Sequence, residues 1–260
     1  MTIIKHLADF LEQFAPVALA EDWDNVGLLV GDPDRPVQRL MTCLTITPAS
    51  AAEAIHRRAD LIVTHHPLPF RPVRRLTTET TAGRLLLDLI AARIAVYSPH
   101  TAFDSARQGI NRRLAEGLEL LDIIPLVPGY DDLGAGRFGR LAEPLALGQL
   151  ADRLKTFLRI ERLQYVGDLT QPVQSVAVAC GAAGEFLQAA QSVGCDCMLL
   201  GETSFHTCLE AEATGVALLM PGHFASERFA VECLAELLAR QYTSLEVWPS
   251  QRERDPILFV

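Results

Sequence analysis

The sequence predicts an α/β protein built as two related α/β domains, each an open mixed sheet flanked by helices. Two observations predict it. Short apolar runs of strand length alternate with segments of helical period along the chain. Residues 41–100 and 175–223 also share one order: strand, turn, helix, strand, polar motif, helix, strand, then a proline turn bearing histidine. Identity between the two stretches is slight, so the echo is one of pattern.

Thr2 is placed to N-cap a first helix to about residue 14. Ile3, Ile4, Leu7, Phe10, Leu11 and Phe14 recur at helical spacing there, and Pro16 ends it. The polar turn Glu21-Asp22-Trp23-Asp24-Asn25 then leads into a short strand, with Trp23 read as a buried anchor rather than a cleft lining. A strand is expected over 41–46, and Pro48 opens a helix to about 59 at the favoured first-turn position. Leu61-Ile62-Val63-Thr64-His65-His66-Pro67 reads as a buried strand that stops in two adjacent histidines. A helix over 81–93, a strand over 94–97 and the turn Ser98-Pro99-His100 follow, then a helix over 111–120.

Composition shifts near Pro125. The segment over 128–140 is rich in glycine and turn formers, and it marks a candidate domain boundary. The expected division is 1–126 with 223–260 as the first domain, carrying most of the candidate site, and 127–222 as the second. Within the second, helices are expected over 147–158, 184–193 and 206–214, and strands over 174–179, 198–200 and 216–220. A helix over 226–239, a strand near 245–247 and a further strand at 257–260 complete the chain.

The 260 residues are 49% hydrophobic and 21% charged, an ordinary globular composition. A formal net charge of −9 opposes broad binding to nucleic acid or anionic membrane. Arg71, Arg74 and Arg75 are a local exception, read as a solvated loop. The six cysteines form no CxxC pair, and the N-terminus lacks the basic-then-apolar pattern of a signal peptide. Reduced cysteines and a cytoplasmic location are expected. No run approaches the roughly 20 apolar residues of a membrane span.

The chemistry concentrates in histidines. Of seven, four fall at expected strand ends: His65, His66, His100 and His223. In open α/β sheets, ligands bind beyond the carboxyl ends of strands. Asp104 follows His100, and Glu227 follows His223, by four residues, which returns a side chain to the same helix face. Each pair can offer one nitrogen and one oxygen to a common centre. His65 and His66 are neighbours on an extended segment, so they point different ways and suit two ions better than one. Two-metal sites need a bridging ligand, commonly a carboxylate. Imidazole with carboxylate suits zinc, iron, manganese or nickel. A single strand-end histidine is more often a hydrogen-bonded structural residue; the matched set favours metal. Glu202 and His206 form another pair at four-residue spacing, either acid/base groups of the same cleft or a surface helix start. Gly181-Ala182-Ala183-Gly184 reads as a tight turn rather than a phosphate cradle, and Ser226 as a capping residue rather than a nucleophile.

With these residues in place, the chain resembles the family of GTP cyclohydrolase 1 type 2 homologues. The resemblance is carried by Trp23-Asp24-Asn25-Val26-Gly27-Leu28, Val63-Thr64-His65-His66-Pro67-Leu68, Ser98-Pro99-His100-Thr101-Ala102-Phe103-Asp104, the Gly-Arg-Phe-Gly turn at 136–139, Gly201-Glu202, and Gly222-His223-Phe224-Ala225-Ser226-Glu227. It spans almost the whole chain and matches the short form, without an inserted middle domain. It implies a toroidal homohexamer with a dinuclear metal centre. One metal would be held by His65, Asp104 and Glu227, the other by His66, His223 and Glu227, with Glu227 bridging. His100 would stand beside the centre as a supporting or catalytic group, with Glu202 a second candidate for moving protons. The implied activity is metal-dependent hydrolysis of a nucleotide-like small molecule, and the alternative is a non-catalytic metal-handling or regulatory scaffold. One departure is visible: Thr45 stands where many members carry Asp, which bears on cleft polarity or substrate preference.

Overall fold

The computed structural model describes residues 1–129 and 133–260. The Tyr130-Asp131-Asp132 part of the glycine-rich segment lies outside the described residues. The chain forms two compact units: residues 1–103 with 230–260, and residues 104–229. Both divisions fall inside helices, His100–Ser105 and His223–Gln241, whereas the sequence analysis placed its boundaries after residues 126 and 222.

The first unit is a five-stranded sheet in the order Gly27–Val30, Ala95–Ser98, Leu61–Thr64, Arg39–Cys43, Glu246–Pro249. Gly27–Val30 pairs antiparallel; the other neighbours are parallel. Every residue of Leu61–Thr64 and Ala95–Ser98 is buried. That explains their unbroken apolar runs, since a parallel strand covered on both faces has no polar side to show. Ile62, Met41 and Val96 pack with Leu85, Leu86 and Leu89 of helix Thr81–Ala91 and with Trp248. Pro48–His56 begins as the sequence indicated: Pro sits in its first turn, and the Thr47 side chain accepts from the Ser50 amide. The first helix differs. It runs Ile4–Phe14, and no side chain caps it. Ile3 instead bridges to Pro36, and the Thr2 carbonyl accepts from the Val37 amide at 2.9 Å, which draws Thr2 away from the capping position.

The second unit is a six-stranded mixed sheet in the order Leu121–Ile124, Arg137–Ala146, Pro172–Ala182, Cys197–Glu202, Ala217–Met220, Gln164–Val166. Its middle strands, Pro172–Ala182, Cys197–Glu202 and Ala217–Met220, are parallel. They answer to Arg39–Cys43, Leu61–Thr64 and Ala95–Ser98 in the first unit, which is the physical content of the sequence echo. Arg137–Ala146 is a ten-residue strand that begins inside the stretch read as a glycine-rich boundary. Buried Arg137 holds that start in place: its guanidinium donates to the carbonyls of Gly134, Gly136, Ser105 and Ala106 at 2.6–2.8 Å. The strand expected at 257–260 does not form; Ile257, Leu258, Phe259 and Val260 are exposed. No helix among the described residues is long and apolar enough to cross a membrane.

Candidate metal centre

In the first unit, three parallel strands deliver their next residues to one sheet edge. Cys43 lies opposite Thr64, and Val63 opposite Tyr97, so the strands end nearly level. The ladder continues one step further: the His65 amide donates to the Cys43 carbonyl at 3.0 Å and the His66 amide to the Leu44 carbonyl at 2.8 Å. The Ser98 hydroxyl donates to the His65 carbonyl at 2.6 Å. His65, His66 and His100 therefore converge, each with a ring nitrogen within 4.8 Å of the others. That is close to the roughly 3–4 Å span of ligands sharing one ion.

His66 and His100 are held through Nδ1. His66 Nδ1 lies 2.6 Å from Thr45 Oγ1. His100 Nδ1 lies 2.7 Å from Asp24 Oδ1, and Asp24 Oδ2 also accepts from the Thr101 amide at 3.1 Å and from the Thr101 hydroxyl. Burial alone would raise the Asp24 carboxyl, but the hydrogen bonds from His100 and Thr101 outweigh it and hold its pKa at about 2. An imidazole held this way turns Nε2 toward its cluster. Asp24 was read in the sequence only as part of a turn; its place beside Trp23 in the family-like motif was the available signal.

Trp23 is not the buried anchor expected. It is 62% exposed, and its ring stands 6.0 Å from that of His100 and 6.0 Å from that of Phe70. Asp24, not Trp23, ties this turn to the fold, because only a carboxylate can satisfy His100 and Thr101 together.

In the second unit, His223 and Glu227 sit on one face of helix His223–Gln241, as their spacing requires. His223 Nε2 lies 3.2 Å from Glu227 Oε2, and its Nδ1 lies 2.9 Å from Glu202 Oε1. The bond to Glu227 is the largest influence on the imidazole. With help from Glu202, it outweighs burial and raises the His223 pKa to about 9. A carboxylate on each side of one imidazole is a donor set that suits a cation once the proton leaves. His223 and Glu227 belong to the second candidate group of metal-holding side chains. Glu202 touches His223 from outside that group, and His206, four residues on, is exposed on its helix.

Ser226 is buried and accepts from the Gly181 amide at 3.1 Å while donating to the His223 carbonyl at 2.8 Å. It ties the helix to the turn from inside the first turn of His223–Gln241, so it is not the capping residue the sequence suggested: its hydroxyl reaches back to the carbonyl three residues earlier. Gly181 has φ 68°, and a Cβ there would strike Glu227 Oε1. The glycine leaves room for the carboxylate rather than for a phosphate. Asp104 belongs to neither candidate group; its Oδ1 accepts from the buried Cys180 thiol at 3.1 Å. Burial, followed by the charges of Asp104 and Glu227, pushes the Cys180 thiol well up. Cys180 escaped the sequence reading because nothing local distinguishes it from a core cysteine.

Fold and donor groups together define a class: two-unit α/β proteins that gather histidine and carboxylate into clusters able to hold metal. The model of the Duf34/NIF3 (NGG1p interacting factor 3) family matches residues 2–256, and this chain belongs to that family. A GTP cyclohydrolase 1 type 2 homolog of Clostridium acetobutylicum is 33% identical over 263 residues, covering 98% of each chain. One of Clostridium perfringens is 32% identical over 260 residues, covering 99% of each. The crystal structure of a Bacillus cereus protein related to NIF3 superposes with a TM-score of 0.90 at 22% identity, covering 100% of this chain and 99% of that one, which speaks for the fold.

Proposed function

We propose that this protein is a dinuclear metal protein and a metal-dependent hydrolase of a nucleotide-like small molecule. The observation that carries the reading is the presence of two groups of side chains each able to hold a metal ion, one of them at the carboxyl edge of the first sheet. In this reading His65, Asp104 and Glu227 hold one ion, and His66, His223 and Glu227 hold the other, with Glu227 shared. The ions are divalent zinc, iron, manganese or nickel, which the donor types all suit. When bound, such a pair supplies Lewis-acid chemistry and makes water nucleophilic at neutral pH. His100, oriented through Nδ1 by Asp24, takes or gives a proton at Nε2. Glu202 holds His223 in the orientation that presents Nε2 and accepts a proton from the site. The names of the clostridial relatives support a nucleotide substrate. The sequence motifs shared with the family support a homohexamer, and the free cysteines support a cytoplasmic location.

Elemental analysis of protein purified without added metal tests the centre. Two equivalents per chain are expected, about one after His66→Ala, and fewer after Glu227→Ala. Less than one equivalent, unchanged in Glu227→Ala, overturns it. Metal-loaded protein should then turn over a nucleotide, phosphoester or amide. If it turns over none but passes its metal to an apo-acceptor, it is a metal-handling protein instead. Sedimentation checks the hexamer.

A further inference from the structure

Trp23 and Phe70 are large aromatic residues left open to solvent, 62% and 47% exposed, beside His100. Large aromatic rings exposed side by side, rather than singly, mark candidate binding surfaces. The two rings and His100 form a closed triangle, with Trp23–Phe70 centroids 6.0 Å apart, Trp23–His100 6.0 Å and Phe70–His100 5.8 Å.

The rings are held from behind. The Asn25 side chain donates to the Pro69 carbonyl at 2.8 Å, tying the turn that carries Trp23 to the loop that carries Phe70. Asp24, between Trp23 and Asn25, is clasped by His100 and Thr101. An anchored neighbour beside each ring, Pro69 for Phe70 and Asp24 for Trp23, removes part of the ordering cost that binding would otherwise meet. The 6.0 Å spacing and 42° tilt do not admit a third ring between Trp23 and Phe70, since a sandwich needs about 7 Å. They leave an open platform, with a ring face on Trp23 and Phe70 beside it. His100 stands edge-on to both, at 77° and 76°.

We propose that Trp23 and Phe70 are a stacking platform for the planar heteroaromatic ring of the substrate, laying it against His100. The inference rests on the reading of the adjoining histidines as a metal site and names the substrate class of that site. Stacking favours a flat π-system of nucleobase size over an acyclic phosphate, because the two π-faces match over their whole area.

Fluorescence tests it. The chain has two tryptophans, and Trp248 is buried, so quenching by a stacked ring reports Trp23. Adenosine 5′-monophosphate, uridine 5′-monophosphate and flavin mononucleotide are the ringed probes, and ribose 5-phosphate is the ringless control. At least one ringed probe is expected to quench and ribose 5-phosphate is not. By equilibrium dialysis, Trp23→Leu should bind the quenching probe about tenfold more weakly, Phe70→Leu less well than wild type, and Phe70→Tyr normally. The inference is overturned if no ringed probe quenches, if Trp23→Leu leaves affinity unchanged, or if Trp23→Leu instead breaks an oligomer in sedimentation, which would assign the rings to contacts between copies. Metal content is measured on the same samples. Normal metal with absent ring binding defeats this inference alone; absent metal defeats the functional reading.

Discussion

Replacing Asp24 by Asn isolates one charge in the first unit. The carboxylate accepts from His100 Nδ1 at 2.7 Å and from the Thr101 amide at 3.1 Å, and also from the Thr101 hydroxyl; its side chain is 1% exposed. Asn keeps the size and one acceptor but not the charge. A carboxyl held at about 2 instead of 3.8 favours the folded state by about 2 kcal/mol at neutral pH. The sign follows from a depressed folded pKa. This stability is complete above the unfolded value of 3.8 and is lost as pH falls through about 2. Both tryptophans lie in the first unit, so intrinsic fluorescence in urea follows that unit's unfolding. Asp24→Asn should be weaker than wild type by about 2 kcal/mol at pH near 7, with the gap closing as pH falls from about 4 to about 2. Equal stability at neutral pH, or a gap that persists undiminished in acid, would refute the assignment of this carboxylate as the charged partner of His100.

Three further outcomes are expected. His223 is held protonated up to about 9 by Glu227 and Glu202, so a metal taking its Nε2 must displace a proton. Metal affinity measured by competition with a chelator should rise as pH rises toward 9 and then level, and the rise should shrink in Glu202→Gln. Gly181→Ala forces a Cβ against Glu227 Oε1 at φ 68°; circular dichroism should stay native while bound metal per chain falls. Arg137→Met strips four carbonyls of their buried donor and should cost the second unit about 3 kcal/mol or more, seen as faster proteolysis within residues 104–229.

Much of this protein is decided locally and was open to the sequence. The parallel strands announce themselves as unbroken apolar runs, because burial on both faces leaves no alternation to read. His223 and Glu227 share a helix face because four residues make about one turn. Placing His65-His66 just past a strand identified the sheet edge, since ligand sites follow the carboxyl ends of parallel strands. What the tertiary structure alone decided is distant in the chain. Asp24 meets His100 across 76 residues and Thr45 meets His66 across 21, contacts that no periodicity encodes. The same holds for the strand Arg137–Ala146, where buried hydrogen bonds of one arginine override a glycine-rich local preference. It holds for Trp23, which composition would bury, but which Asp24 and Asn25 leave facing solvent by satisfying their hydrogen bonds on the inner side of the turn. Local pattern sets which residues lie on which element; only the register of strands and the pairing of buried polar groups sets which of them meet.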